Sequence, residues 1–329
     1  MSSSKMPQLR VLVTDYCDSN CIYCRPGGEG NLDCHGLAMS YESATQTAAA
    51  YRRIGGKEIK ISGGDPAFWQ YLSKYITFLK NELKYERIEL ITRSVRIASQ
   101  LDELHYSGLD VINFSLDTVD KERYSYITKK NDFEQMIEVI TLASHKMYCK
   151  INMVILPDTS ESEITNMLDF CNANNVNELK LLDYIDDIQE NNANMYVPSN
   201  QFDYIYEQLE HFTKNFSMVF QGGLGHPMRV YQISDGFKVT CKDSRQGAWY
   251  CELCRKCSHY PCHDALMALR VTPSDSFQLC LLNKKMHLHF DLSNIEQQLE
   301  NIMKYYQKAF FRECHLNEIG CTNSSQNRF

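Results

Sequence analysis

Three cysteines near the start of the chain, Cys17, Cys21 and Cys24, are spaced three and then two residues apart in Cys17-Asp18-Ser19-Asn20-Cys21-Ile22-Tyr23-Cys24. Three thiolates on one loop can each take one iron of a four-iron cubane, which leaves the fourth iron without a protein ligand. An iron with a vacant position can bind a small chelating molecule, and a single zinc ion is the rival occupant of the same thiols. A second set lies far downstream, with Cys251, Cys254, Cys257 and Cys262 separated by two, two and four residues and followed by Cys280. That spacing suits a zinc ribbon as well as a second iron–sulfur cluster, and leaves the choice open.

The chain has 14 cysteines in 329 residues. A disulfide scaffold is the alternative, but such scaffolds are short exported chains, and Met1–Gln8 lacks the apolar core of an export signal. Cys149 and Cys171, alone in the middle, read as buried thiols. With 43% hydrophobic and 23% charged residues the balance is that of a soluble protein. No apolar run approaches the roughly 18 residues of a membrane span, so a cytoplasmic protein with no membrane partner is expected. The formal net charge of -7 argues against a broad nucleic-acid surface.

The elements that must position the first cysteines follow a regular pattern. Leu9–Thr14 reads as a buried strand running into Cys17. Strands are expected at Glu58–Ser62, Arg87–Thr92, Val111–Ser115, Lys150–Ile155 and Glu178–Leu182. Helices are expected between them, at Tyr41–Arg53 behind a Ser40 cap, Tyr71–Tyr85, Ile97–Ser107, Phe133–Lys146 and Glu161–Asn174. Six alternating units give an α/β fold with a parallel sheet, two units short of a closed eight-stranded barrel. An open, partial barrel places the loops after the strands on one rim, where Cys17–Cys24, Gly63–Pro66, Thr92 and Ser115–Thr118 would converge. Past Tyr184 the pattern changes. Asp186–Asn200 reads as a polar loop, Gln201–Lys214 as a helix, Met228–Gln232, Phe237–Thr240 and Phe277–Leu282 as strands, and Leu292–Phe311 as a terminal helix, with Gly320–Phe329 loosely ordered. The expected division is a core over 1–186 and a cysteine-rich extension over 187–329.

The segment LRVLVTDYCDSNCIY (Leu9–Tyr23) resembles the opening of the molybdenum-cofactor GTP 3′,8-cyclase family, within the radical S-adenosylmethionine (SAM) superfamily. KISGGDP (Lys60–Pro66), SGLDVINFSLDTVDKERYSYIT (Ser107–Thr128), KINMVIL (Lys150–Leu156) and LKLLDYI (Leu179–Ile185) are similar to later segments of that family, and the likeness resumes near Leu269–Leu282. The resemblance implies a partial (β/α)6 TIM-like radical SAM barrel. It implies a [4Fe-4S] cluster on Cys17, Cys21 and Cys24 whose open iron binds the amino and carboxylate groups of SAM. Electron transfer would then break a carbon–sulfur bond and release a 5′-deoxyadenosyl radical. By the same resemblance Tyr23 would lie near the adenine, Gly63, Gly64 and Asp65 would cradle the methionine end, and Thr92 and Ser115 would contact SAM. Asp65 stands where the family has Glu, so its reach is shorter.

Relatives in that superfamily carry an auxiliary [4Fe-4S] cluster in a C-terminal extension, and LRVTPSDSFQLCL (Leu269–Leu281) resembles the corresponding strand pair. Cys254, Cys257, Cys262 and Cys280 are the expected ligands, with Cys251 able to replace any of the first three. The GTP cyclases hold a triphosphate with basic groups. Arg10, Lys60, Lys150, Lys180 and Arg270 match those positions, and Lys150, Lys180 and Arg270 are the candidate catalytic residues. Glu58 and Ala268 replace basic residues, and Ile319-Gly320-Cys321 lacks the family's Gly-Gly terminus.

These departures point to a relative acting on another substrate: an oxidoreductase or lyase that abstracts hydrogen from a small molecule, nucleotide or peptide and takes electrons from a donor such as flavodoxin or ferredoxin. A divergent GTP 3′,8-cyclase and a zinc-binding interaction protein are the alternatives.

Overall fold

Period-two alternation builds the centre of the molecule. In strand after strand one set of side chains is apolar and fully buried: Leu9 and Val11, Ile59 and Ile61, Ile88 and Leu90, Ile112 and Phe114, Ile151 and Met153, Leu179 and Leu181, Leu269 and Val271. The intervening set is mostly polar, and most of it is covered too, as expected for a parallel sheet packed by helices on its outer face. The computed structural model describes residues 6–24, 36–184, 201–220, 227–246, 248–250, 254–257, 268–281, 283, 286–308 and 311–313.

The first half alternates as expected, through β1 (Gln8–Leu12), α1 (Tyr41–Arg53), β2 (Glu58–Ser62), α2 (Leu72–Asn81), β3 (Arg87–Thr92), α3 (Leu101–Tyr106), β4 (Val111–Ser115), α4 (Lys121–Thr128), α5 (Phe133–Ser144), β5 (Tyr148–Ile155), α6 (Glu161–Ala173) and β6 (Glu178–Asp183). Ser40 caps α1 by accepting from the Ser43 N–H. Ser160 and Glu163 form a reciprocal capping box on α6. The second half contributes α7 (Gln201–Phe212), β7 (Phe216–Phe220), β8 (Pro227–Ser234), β9 (Phe237–Lys242), β10 (Ala248–Tyr250), β11 (Ala268–Thr272), β12 (Ser276–Gln278), β13 (His287–His289), α8 (Ile295–Lys308) and β14 (Phe311–Glu313).

The main sheet has twelve strands, in the order β13-β12-β11-β1-β2-β3-β4-β5-β6-β9-β8-β7. Among the described residues its two ends do not pair, and it is an open, curled half-barrel. The six expected strands are parallel neighbours, and the second half extends them with β11 beside β1 and β9 beside β6, both parallel. The eight parallel strands place the ends of β1, β2, β3 and β4 on one rim. Since β12 runs antiparallel to β11, with Arg270 opposite Gln278, the chain following β12 leaves at the opposite end of the sheet.

Several elements differ from expectation: β10, β13 and β14 were not read from the sequence, and the strand expected at Phe277–Leu282 is β12 over Ser276–Gln278. Helix α4 is short, and its strongest signal is local: Asp120 accepts from the Arg123 N–H at its start. Strand β7 pairs with β8 and keeps Phe216, Met218 and Val219 partly exposed, a pattern that periodicity reads poorly. The region expected as helix Ile97–Ser107 begins as a 3₁₀ turn over Val95–Gln100 before α3. The connection Asp186–Asn200, the tail Gly320–Phe329 with Cys321, and Cys251 and Cys262 lie outside the described residues.

Candidate functional site: the cysteine loop and the charged concave face

The loop after β1 is pinned on two sides. Backbone N–H groups of Asn20 and Ile22 donate to the Thr128 and Ile127 carbonyls at the end of α4, at 3.1 and 2.9 Å. Lys130 adds an ion pair to Asp18 at 2.9 Å. A tight turn, Cys24 N–H to the Cys21 carbonyl at 3.0 Å, brings the last two cysteines round together. Cys17 and Cys21 are half-buried and Cys24 is exposed. Burial pushes the Cys17 and Cys21 thiols up to about 11 each, so taking up metal there means displacing thiol protons.

The end of β2 meets this loop backbone to backbone. Gly64 N–H donates to the Thr14 carbonyl at 2.6 Å, and Asp65 N–H to the Tyr16 carbonyl at 2.7 Å. A Cβ on Gly63, whose φ is +146°, would lie 2.1 Å from the Thr14 carbonyl oxygen, and one on Gly64 would lie 2.2 Å from that of Tyr16. Only glycine allows this approach. The Asp65 carboxylate, 1% exposed, points into the protein. It accepts from the Ala67 N–H at 3.0 Å and the Thr92 hydroxyl at 2.8 Å on one oxygen, and from the Arg93 and Ser94 N–H groups at 2.6 and 2.9 Å on the other. Burial raises the carboxyl above the usual range, against the pull of those donors.

Tyr23, between the second and third cysteines, donates its hydroxyl to Asp117 Oδ2 at 2.6 Å and accepts from Arg93 Nη2 at 2.8 Å. Arg93 also bonds Asp117 Oδ2, at 2.6 Å, and Asp117 Oδ1 accepts from the Val154 N–H at 2.9 Å. Cysteine loop, β3, β4 and β5 are thereby tied at one rim. Ser115 closes β4 on the same side, half-buried and in register with Asn152. The structure thus brings Cys17, Cys21, Cys24, Tyr23, Gly63, Gly64, Asp65, Thr92 and Ser115 to one end of the sheet. Arg93 was not singled out from the sequence, although it directly follows Thr92, and Asp117 was placed on the rim only as part of Ser115–Thr118, with no role of its own.

Beneath the rim the concave face is charged. Lys60 lies 3.1 Å from Glu89, Lys150 lies 3.7 Å from Glu89 and 3.3 Å from Glu178, and Lys238 lies 3.4 Å from Glu178. Asn113 and Thr240 add hydrogen bonds to Glu89 and Glu178 at 2.8 and 2.9 Å. Burial alone would raise both carboxyls, but the lysines outweigh it and hold them below the ordinary range. Burial pulls the Lys60 ammonium down to about 8, and lowers Lys180 as well, helped there by Lys60 and Lys150. Lys180, in register with Thr240, lies two residues nearer the rim than Glu178. Arg270 is buried beside Arg10, which neighbours Lys60. Glu58 is exposed opposite Arg87, and Ala268 is buried opposite Gln8. Glu89 and Glu178 were missed from the sequence; Glu89 lies inside β3 and Glu178 opens β6.

Among the later cysteines, Cys254 opens a 3₁₀ turn over Cys254–Lys256, and the Cys257 N–H donates to the Cys254 carbonyl at 2.9 Å. Cys280 is buried, and its sulfur accepts from the Asn283 N–H at 3.3 Å. Among the described residues no three Cys, His, Asp or Glu side chains converge on a single ion. A cubane does not need that convergence, since each thiolate takes its own iron. The first loop fits such a cluster in its donor set, three thiols, and in the glycine approach that packs the β2 end against it.

Residues 11–171 match the family model of the Radical SAM superfamily. This stretch is a radical SAM domain. Among curated proteins, the chain is 31% identical over 176 residues to a probable GTP 3′,8-cyclase of Archaeoglobus fulgidus, covering 53% of this chain and 57% of that protein. It is 26% identical over 277 residues to a probable GTP 3′,8-cyclase of Pyrococcus abyssi, covering 84% and 85%. With coverages of 57%, 53% and 50%, the chain spans little more than half the length of three such relatives. Two solved structures share the fold. Streptococcus suis SuiB bound to S-adenosylmethionine has a TM-score of 0.61 at 15% identity, covering 84% of this chain and 60% of that one. Native anSMEcpe with bound AdoMet has a TM-score of 0.61 at 14% identity, covering 91% and 81%. A radical SAM domain implies a [4Fe-4S] cluster and SAM. No helix among the described residues is long and apolar enough to cross a membrane.

Proposed function

We propose that this radical SAM protein cleaves SAM reductively and removes a hydrogen atom from a substrate seated against the concave face of the sheet. The observation that carries the reading is the position of the cysteine loop, fixed by Gly63-Gly64 at the strand ends directly above a buried girdle of lysines. When bound, the cluster and SAM supply a 5′-deoxyadenosyl radical. The chain's own part is to ligate through Cys17, Cys21 and Cys24, and to receive SAM along Tyr23, Gly63, Gly64, Thr92 and Ser115. The mostly buried concave face keeps water away from reactive chemistry.

Lys150, Lys180 and Arg270 are assigned to an anionic group of the substrate, with Arg10 and Lys60 beside them. Glu89 and Glu178 sit among these cations and offset part of their charge, which favours a substrate less negative than a nucleoside triphosphate. A small molecule, a nucleotide or a peptide meets that description. The extension after residue 186 is assigned an auxiliary cluster on Cys254, Cys257, Cys262 and Cys280, and a low-potential flavodoxin or ferredoxin the supply of electrons.

Anaerobic reconstitution tests the reading. Two cubanes would give about seven to eight irons per chain, and 5′-deoxyadenosine should form in the wild type and be lost in the Cys17, Cys21 and Cys24 triple alanine variant. Product from the triple variant would overturn the assignment. The second reading, a divergent GTP 3′,8-cyclase, is favoured by the names of the curated relatives. Cyclised nucleotide formed from GTP would establish it over the first.

A further inference from the structure

We propose that Arg93 and Asp117 form an opposed pair of charges that sets the reduction potential of the cluster on Cys17, Cys21 and Cys24, Arg93 raising it and Asp117 lowering it. This rests on the cluster reading above.

The side chain of Arg93 is 8% exposed. Its Nη2 serves both Asp117 and the Tyr23 hydroxyl, whereas its Nη1 is buried with no hydrogen-bond partner. Buried guanidinium N–H groups are costly to leave unmet, and Tyr23 holds this side chain to the middle of the cysteine loop, one residue from Cys24 and two from Cys21. Asp117 reaches the loop through the same Tyr23 hydroxyl, its Oδ2 accepting at 2.6 Å where Arg93 Nη2 donates at 2.8 Å, so both charges are held against the cysteine loop from one point.

Reducing a cubane adds one negative charge to it. A buried cation beside the ligands stabilises the reduced form, a buried anion destabilises it, and hydrogen bonds to sulfur act in the direction of the cation. Little water is present to screen either charge. A buried ion pair is an expensive way to anchor one tyrosine, because two charges must be desolvated for it. As a positioning pair for the cluster's charge the arrangement has a use that anchoring alone does not need.

The sign of the effect separates electrostatics from mere support. The full chain, wild type and with Arg93→Gln or Asp117→Asn, is reconstituted anaerobically. Iron per chain is measured, and the midpoint potential of the first cluster is read by redox titration followed by electron paramagnetic resonance, with Cys254, Cys257 and Cys262 replaced in every chain so that one cluster reports. The expected result is a downward shift for Arg93→Gln and an upward shift for Asp117→Asn, at matched iron content. Shifts of the same sign in both variants, or no shift in either, overturn the proposal. If Arg93→Gln fails to retain iron, Asp117→Asn decides alone, and a potential at or below wild type overturns it. A wild-type chain that takes up no iron removes the cluster reading itself, an outcome distinct from loaded chains with unchanged potentials.

Discussion

Thr92 donates its hydroxyl to Asp65 Oδ1 across 2.8 Å, and this bond belongs to a closed set of four that leaves neither carboxylate oxygen idle. Asp65 therefore acts as a tie between the ends of β2 and β3, and at the proposed SAM site its effect is expected through the adjoining Gly63-Gly64 backbone. In Asp65→Asn an NH₂ group would face backbone N–H donors, orphaning one or two of them at about 1–3 kcal/mol each. The apo protein should lose about 2–4 kcal/mol in urea unfolding, and SAM affinity should fall with it. A variant whose affinity falls while its stability is unchanged would show direct ligand contact.

Gly64 makes a sharper demand. A methyl group there would lie 2.2 Å from the Tyr16 carbonyl oxygen and 2.4 Å from its carbon, so only backbone movement can relieve the clash. Gly64→Ala should keep the far-UV dichroism of the sheet and helices, because the collision is confined to the rim. It should lose iron from the first cluster and bind SAM at least tenfold more weakly. Wild-type iron content and affinity would mean that the loop has slack that its hydrogen bonds do not suggest.

Much of this site was legible in the sequence because its signals are local. Cysteine spacing, the Gly63-Gly64 pair and the strands running into them need no knowledge of distant contacts. The same holds for Ser40 at α1. What escaped depended on pairing across the sheet. Glu89 is one polar residue in an apolar strand until β2 and β5 bring Lys60 and Lys150 to it. Arg93 gains meaning only when Tyr23, 70 positions earlier, reaches its guanidinium. The two added parallel strands, β9 and β11, could not be placed from a pattern that breaks at Tyr184, because their partners β6 and β1 lie across the fold.

Lys150 is the keystone of the charged girdle, since both Glu89 and Glu178 lean on it. Lys150→Met would leave two buried carboxylates less compensated, and breaking a buried pair in this way costs about 3–5 kcal/mol. Adding Glu178→Gln should restore part of that loss by removing one of the under-compensated buried charges. Equilibrium unfolding of the two single variants and the double variant measures the coupling. Additive losses would show that Lys150 and Glu178 act independently despite their 3.3 Å separation.

Lys60 should reveal itself in the alkaline range. Its folded ammonium is lowered by burial to about 8, against an ordinary 10.5 that the unfolded chain retains. Between those pH values the unfolded chain holds a proton that the folded chain has released, so stability rises with pH across the window and is unaffected by this group below it. The full rise is about 3 kcal/mol at most. Lys180, lowered by burial and by Lys60 and Lys150, contributes a slope of the same sign that weakens but remains when Lys60 is replaced. The informative quantity is thus the difference between wild type and Lys60→Met. Urea midpoints taken from pH 7.5 to 10 under reducing conditions should climb more steeply for the wild type, and parallel curves would place the Lys60 ammonium at its ordinary value inside the fold.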